Sequence, residues 1–163
     1  MKKCVMISDS FKGSLSSSDI CAIARESVAK FFPGCEVVTL PVADGGEGTV
    51  DCFLEACGGE AVKVAGVSGP YGEKIDAVYA RLDEATAVVE MAATAGLPMV
   101  GDKKDPCRTT TYGVGELVRH AVEQGAKHII LGLGGSATND GGCGCAAALG
   151  VKFTDKDGKE FVP

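Results

Sequence analysis

Residues 132–142, GLGGSATNDGG, set five glycines, a serine, a threonine, an asparagine and one carboxylate directly behind an apolar run. Glycine in an interior costs chain entropy, so a run this bare serves a turn, a closely approaching ligand, or both. The N–H groups of such a loop, aimed with a helix N-terminus at one point, bind phosphate oxygens with no side chain in the way. Gly134, Gly135, Ser136 and Thr138 fit that role. A second stretch, PVADGGEGT at 41–49, sets Asp44 and Glu47 beside glycines, as Asp140 is set in the first. Carboxylates repel a bare phosphate but suit a bridging Mg²⁺, because hard cations take oxygen ligands. The set therefore fits a magnesium nucleotide. Lys12 in SDSFKGSLS and Arg108 in DPCRTTTYG supply the positive charge that phosphoryl transfer draws on. Asp9 or Asp140 is the group to orient or deprotonate a hydroxyl acceptor.

Each of these residues has a plainer reading. Taken singly, Lys12 and Arg108 are surface charges near helix starts, and Asp9 forms a local turn with the backbone ahead of it. DGGEGT reads equally as a loop entering a helix, with Glu47 set against the helix dipole. The glycine loop resists that treatment, since a short turn needs only one or two glycines. No G-x-x-x-x-G-K-[ST] is present. Gly132, Gly134 and Ala137 do match the dinucleotide pattern G-x-G-x-x-A, but Asp140 then falls where the pyrophosphate needs N–H donors. A non-catalytic dinucleotide- or metabolite-binding α/β module is therefore the alternative. His120 and His128 lack partners at metal-ligand spacing, and the metal ligands stay unknown.

The elements that must position these groups are legible in the periodicity. Residues 4–7 read as a short buried strand, and Ser16 with Asp19 as a capping box. Ile20, Ile23, Ala24, Val28 and Phe31 form the apolar face of the helix that follows, which Pro33-Gly34 stops before a strand at 36–40. A second helix spans 49–57 and ends at Gly58-Gly59; 61–67 is extended, and SGPYGEK is a turn. Residues 75–82 and 85–91 suit a hairpin through DEAT. Val114, Leu117, Val118, Ala121 and Val122 make a helical stripe that Gly125 ends; a strand at 127–131 and a helix at 143–149 flank the glycine loop. The fold class is α/β: a Rossmann-like, largely parallel sheet with a second strand-rich α/β lobe. Residues 1–61 and 101–163 read as its core and 62–100 as part of the second lobe. TDKDGKEFVP ends in the start of a strand, so the chain reads as truncated at residue 163.

Composition narrows the function classes. A net charge of −6 excludes a nucleic-acid partner of the usual kind, which needs clustered Lys and Arg. No apolar run approaches the ~18 residues of a membrane span, and residues 1–7 lack a secretory signal, which makes the expected localisation cytoplasmic. The eight cysteines show no C-x-x-C pair and read as small buried hydrophobes, thiols rather than disulfides. Cys143 and Cys145 are the exception to watch, with Asp140 opposing any fall in thiol pKa.

Together, DSFKGSLS, PVADGGEGT, TTTYGVGEL and GLGGSATNDGG, in this order and near these spacings, resemble the bacterial glycerate kinase family. The resemblance runs from Lys3 to the end and corresponds to the N-terminal portion of a chain more than twice as long. It implies ATP with Mg²⁺, D-glycerate as acceptor, 2-phosphoglycerate as product, and a two-lobed α/β structure with the active site between the lobes. It carries Asp9, Ser10 and Lys12 from the first motif, Asp44, Gly45, Gly46 and Glu47 from the second, and Gly134 through Asn139 to Asp140 from the last. Asp140, Asp44 and Lys12 are the catalytic candidates on chemical grounds. Arg108 joins the binding residues. Ser8 stands where the family commonly has proline, and Cys143 and Cys145 replace small or apolar residues. If Asp140 is a loop carboxylate outside the core, its replacement by asparagine abolishes turnover and leaves stability nearly unchanged. A single lobe that pairs with itself as a homo-oligomer is a further structural reading.

Overall fold

The computed structural model describes residues 2–161; Met1 and the last two residues of the expected final strand lie outside them. The chain divides into two compact units, Met1–Asp44 and Gly45–Pro163.

In the first unit, β1 (Lys3–Ser8) and β2 (Glu36–Pro41) pair in parallel, with α1 (Ser17–Phe31) between them in sequence. The capping box forms as expected: the Ser16 hydroxyl accepts from the Asp19 N–H (3.1 Å), and the Asp19 carboxylate accepts from the Ser16 N–H (3.3 Å). The helix buries Ser17, Cys21 and Ala24, with Ile20 and Val28 half-buried, while Ile23 and Phe31 stand exposed. The covered stripe is therefore rotated from the apolar positions toward the small side chains, which let the helix approach the strands. β1 is also less buried than its apolar content suggests. Val5 and Ile7 are 53% and 59% exposed, since α1 covers one face of the pair and alternate residues point to the other.

The second unit is built on a four-stranded sheet in the order β3 (Glu60–Ser68), β4 (Lys74–Arg81), β5 (Thr86–Glu90), β6 (His128–Gly132). β3, β4 and β5 are antiparallel neighbours, and β5 and β6 are parallel. The sheet is thus mixed, with the parallel crossover confined to β5 and β6. The DEAT hairpin is as expected: the Asp83 carboxylate accepts from the N–H groups of Ala85 (2.7 Å) and Thr86 (2.8 Å). Residues 62–100 share this sheet with β6, and the division of the chain falls instead at Asp44/Gly45.

Helices cover both sheet faces. Ala87 and Val89 of β5 pack with Val67, Ala77 and Tyr79 against Val114, Leu117 and Ala121 of α4 (Tyr112–Glu123). Val88, on the opposite face by the two-residue strand period, packs with Ala80 against Val50, Phe53 and Leu54 of α2 (Thr49–Cys57). Burial on both sides explains why β5 reads as a continuous apolar run. α3 (Ala92–Ala95) and α5 (Cys143–Ala148) are short, and a two-stranded hairpin, β7 (Phe153–Thr154) with β8 (Glu160–Phe161), follows.

All eight cysteines are free thiols, but only Cys21 is buried; Cys57 and Cys107 are exposed and the rest half-buried. Their expected role as buried hydrophobes holds for one position, while Cys145 is half-buried against the core beneath α4. Among the described residues no helix is long and apolar enough to cross a membrane.

Candidate functional site

In the second unit, backbone touches backbone where two glycine turns meet. The Gly134 N–H donates to the Gly45 carbonyl (2.8 Å), and a Cβ on Gly134 would lie 2.6 Å from the Gly46 nitrogen. No side chain fits there, so part of the glycine content of residues 132–142 is explained by the protein packing on itself rather than by a ligand. The same loop is stitched to residues 95–97: Leu97 N–H donates to the Gly135 carbonyl and Ala137 N–H to the Ala95 carbonyl, each at 2.8 Å. From the third motif, the Thr109 hydroxyl donates to the Ala137 carbonyl (2.8 Å). Three of the four motif stretches thus converge within one unit.

Asp140 joins two helix starts. Its Oδ2 accepts from the Thr111 N–H (2.8 Å), the Thr111 hydroxyl (2.8 Å) and the Gly144 N–H (3.1 Å), while Oδ1 accepts from the Gly142 N–H (3.0 Å). Thr111 is the N-cap of α4, and Gly142 that of α5. The Thr111 hydroxyl in turn accepts from the Cys145 N–H (2.9 Å). Burial pushes the Asp140 carboxyl upward, but the bonds from Thr111, Gly142 and Gly144 outweigh it and hold the group below the ordinary aspartate value. Burial, and next the Asp140 charge, raise the Cys145 thiol. Four protein donors thus meet the carboxylate, three at Oδ2 and one at Oδ1. The expectation that Asp140 can be lost without cost to stability does not fit this geometry.

A second carboxylate closes the other turn. Glu90 ends β5 on the face that carries Val88, which is the face under α2. Its Oε2 accepts from the Val50 N–H (3.0 Å), and the N–H groups of Gly48 and Thr49 also reach it. Burial raises the Glu90 carboxyl above the ordinary glutamate value; these N–H groups pull it back without cancelling the rise, to which the Asp51 charge adds. The Thr49 hydroxyl donates to the Gly46 carbonyl (2.7 Å), continuing the link into the glycine turn.

Both helix N-termini next to the glycine loops therefore hold protein carboxylates, which corrects the expectation that a helix end there faces a phosphate. What is left for a ligand lies between them. Among the described residues, the N–H groups of Gly135, Ser136, Asn139 and Gly141 have no protein partner. The Ser136 and Thr138 hydroxyls hydrogen-bond each other (2.8 Å), and Ser136 Oγ accepts from the Thr138 N–H (3.0 Å). Glu47 is exposed, and its carboxylate takes part in no bond or ion pair among the described residues. Arg108 is exposed in a turn closed by its own N–H to the Asp105 carbonyl (3.1 Å).

The first unit holds the remaining predicted residues. Asp9 Oδ1 accepts from the adjacent Ser10 N–H (2.7 Å), one residue on rather than the two of the expected Asx turn. Lys12 sits in a tight turn between Phe11 and Leu15, and its ammonium lies 3.8 Å from the Asp44 carboxylate, with the two side chains 71% and 55% exposed. Buried Ser17 ties the strand ends: its hydroxyl donates to the Ser8 carbonyl (2.6 Å) and accepts from the Val42 N–H (3.0 Å).

The dinucleotide pattern lacks its geometry. The Gly134 and Ala137 N–H groups are spent on Gly45 and Ala95, and α5 begins only at Cys143, well past the position where that fingerprint enters its helix. Neither histidine sits in a metal cluster; among the described residues no group of three or more His, Cys, Asp or Glu could hold an ion. His120 Nδ1 instead meets the Tyr79 hydroxyl at 3.3 Å. Sequence reasoning missed Glu90, Thr109, Thr111 and residues 95–97. The one usable signal was a carboxylate terminating the apolar run TAVVE at a strand's carboxyl end.

Comparison with known proteins agrees with the motifs. A family model described as the glycerate kinase family matches residues 4–163. Over 161 residues the chain is 48% identical to a glycerate 2-kinase of Escherichia coli K12, covering 98% of this chain and 42% of that protein. It is 47% identical over 163 residues to a glycerate kinase of Bacillus cereus, covering 99% and 42% respectively. A crystal structure from Salmonella typhimurium LT2, provisionally assigned as glycerate kinase 2, superposes with a TM-score of 0.78 at 42% identity, over 99% of this chain and 43% of that one. The chain spans about 42% of the length of the curated relatives it matches. With the fold, the motif order and the family match all in agreement, the chain belongs to the glycerate kinase family.

Proposed function

We propose that the protein carrying this chain is a cytoplasmic ATP-dependent glycerate kinase, transferring the γ-phosphoryl group of ATP to a hydroxyl of D-glycerate to give 2-phosphoglycerate. The observation that carries this reading is the family match across residues 4–163. The glycine loop supports it with suitable chemistry. The N–H groups of Gly135, Ser136, Asn139 and Gly141 and the hydroxyls of Ser136 and Thr138 are donors for anionic oxygens. Backbone donors held in advance cost no reorganisation when charge develops. Gly45, Gly46 and Gly134 bring two turns together, and Asp140 sets the loop by holding both flanking helices. Lys12 and Arg108 supply positive charge, and Asp44, with Asp9 and Ser10, supplies oxygen groups toward a hydroxyl acceptor.

Mg²⁺ is bound in nucleotide sites by one or two carboxylates together with phosphate oxygens and water, rather than by a cage of protein ligands. Glu47, exposed and uncommitted within the described residues, fits that demand in the second unit. When bound, the ion neutralises charge on the transferring phosphoryl oxygens.

The test is ATP consumption by the full-length protein with Mg²⁺ and D-glycerate, against L-glycerate. Turnover specific for the D isomer is expected. A folded protein that turns over neither isomer would return the glycine loop to a purely binding role.

A further inference from the structure

Two glycine turns can lie backbone to backbone only if something fixes both, because neither contributes a side chain to the contact. A Cβ on Gly132 would lie 2.5 Å from the Gly45 carbonyl oxygen, and one on Gly134 would lie 2.6 Å from the Gly46 nitrogen. On one side the loop from Gly132 is continuous with β6, whose residue Gly132 is in register with Glu90 of β5. On the other side the turn at Gly45 and Gly46 runs into α2, which packs on the sheet through Val50, Phe53 and Leu54. Glu90 belongs to both. Its backbone is in the ladder beside Gly132, and its carboxylate holds the Val50 N–H at 3.0 Å. The link then runs from the first turn of α2 through the Thr49 hydroxyl to the Gly46 carbonyl (2.7 Å), and the adjacent Gly45 carbonyl accepts the Gly134 N–H (2.8 Å).

We propose that Glu90 is a positioning residue that locks the second glycine turn, residues 45–48, onto the glycine loop at 132–135. Its kinetic consequence rests on the phosphotransferase reading; the lock itself does not. Glu90 touches no ligand in this role. An amide in its place would present donors of its own toward the first turn of α2, where the carboxyl oxygen Oε2 accepts the Val50 N–H.

The test is residue-resolved amide hydrogen exchange on the full-length protein with Glu90→Gln. Exchange at Val50 and at Gly134 is expected to accelerate at least about tenfold, while the β3–β4 ladder keeps its protection. Gly134 exchange that stays at the parent rate while Val50 is released would overturn the proposal, since Glu90 would then cap α2 alone. Thr49→Val removes the shorter, hydroxyl bond of the next link, leaving the Gly46 carbonyl only the Thr49 N–H (3.2 Å), and decides the matter if the first variant does not fold. It should release Gly134 and leave Val50 protected; an unchanged Gly134 again overturns the lock. In the phosphotransfer assay, Glu90→Gln should raise the KM of the phosphate-bearing substrate about tenfold, with kcat within about twofold. Absence of turnover in the parent protein would count against the kinase reading alone, because the exchange measurement needs no substrate.

Discussion

Glu90 and Asp140 do the same job at two ends of one site and carry opposite electrostatic signatures. Each accepts main-chain N–H groups at the start of a helix that follows a glycine turn. Burial lifts Glu90 above the ordinary glutamate value, whereas at Asp140 the bonds from Thr111, Gly142 and Gly144 outweigh burial and hold it low. The difference lies in the donors. Asp140 draws on a side-chain hydroxyl and on N–H groups from two helices, while Glu90 draws on consecutive N–H groups of one turn beneath a helix packed on the sheet. Glycine loops in this fold are thus shaped by internal carboxylates, and a ligand meets only the N–H groups these leave over.

The contrast is broken most easily at Asp140. Asp140→Ala leaves the Thr111 N–H and hydroxyl and the Gly142 and Gly144 N–H groups without their acceptor, and should cost about 3 kcal/mol in urea denaturation. A midpoint within error of the parent would mean that solvent replaces these bonds freely. Next in size is Gly134→Ala. Its Cβ would fall 2.8 Å from the Gly46 Cα, so the two turns must separate, at about 2 kcal/mol. An alanine tolerated there would show that the close backbone contact is not required.

Acid titration sharpens the contrast by sign. Asp140 has a lowered native value, so its stabilisation is complete above the ordinary aspartate range and is lost as pH falls through that lowered value. Glu90 has a raised native value, so the native state takes up its proton before the unfolded chain does. Stability attributable to Glu90 therefore rises as pH falls through the raised value toward the ordinary one. The melting-temperature gap between parent and Asp140→Asn should narrow on acidification; that between parent and Glu90→Gln should shift toward the parent, and at a higher pH. Parallel changes in the two gaps would remove the distinction.

Much of this arrangement is legible in the sequence, because it follows from local rules. The Ser16–Asp19 capping box, the helix at 49–57 ended by its glycine pair, the DEAT hairpin and the α4 stripe of Val114, Leu117 and Ala121 all depend on spacing within a few residues. What escaped depends on contacts between distant segments. The convergence of Thr109, Thr111 and Asp140 spans 29 residues between the latter pair, and Glu90 meets Val50 across 40. Nor does composition tell a glycine kept clear for a ligand from one kept clear for another backbone. Gly134 proved to face Gly46, while Gly135 and Gly141 keep unpartnered N–H groups among the described residues. Apolar content likewise overstated the burial of β1, where only one face is covered within the first unit.

The smallest expected effect on stability belongs to the first unit and is the most informative about chemistry. Lys12 and Asp44 are both largely exposed, 3.8 Å apart, at the outer limit of an ion pair. Exposed pairs of this kind contribute little, so Lys12→Met should change unfolding free energy by no more than about 0.5 kcal/mol. A lysine held loosely at a turn tip is, however, a mobile point charge, the form in which an ammonium serves a phosphoryl group. On the kinase reading the same substitution should lower kcat/KM at least about a hundredfold, because charge on the transferring group loses a counter-ion. The two measurements, urea denaturation and ATP turnover on one preparation, pull apart only if Lys12 acts on a ligand. Turnover kept at the parent level would make Lys12 the surface charge of its plainer reading, and would move the search for the phosphate's counter-charge to Arg108.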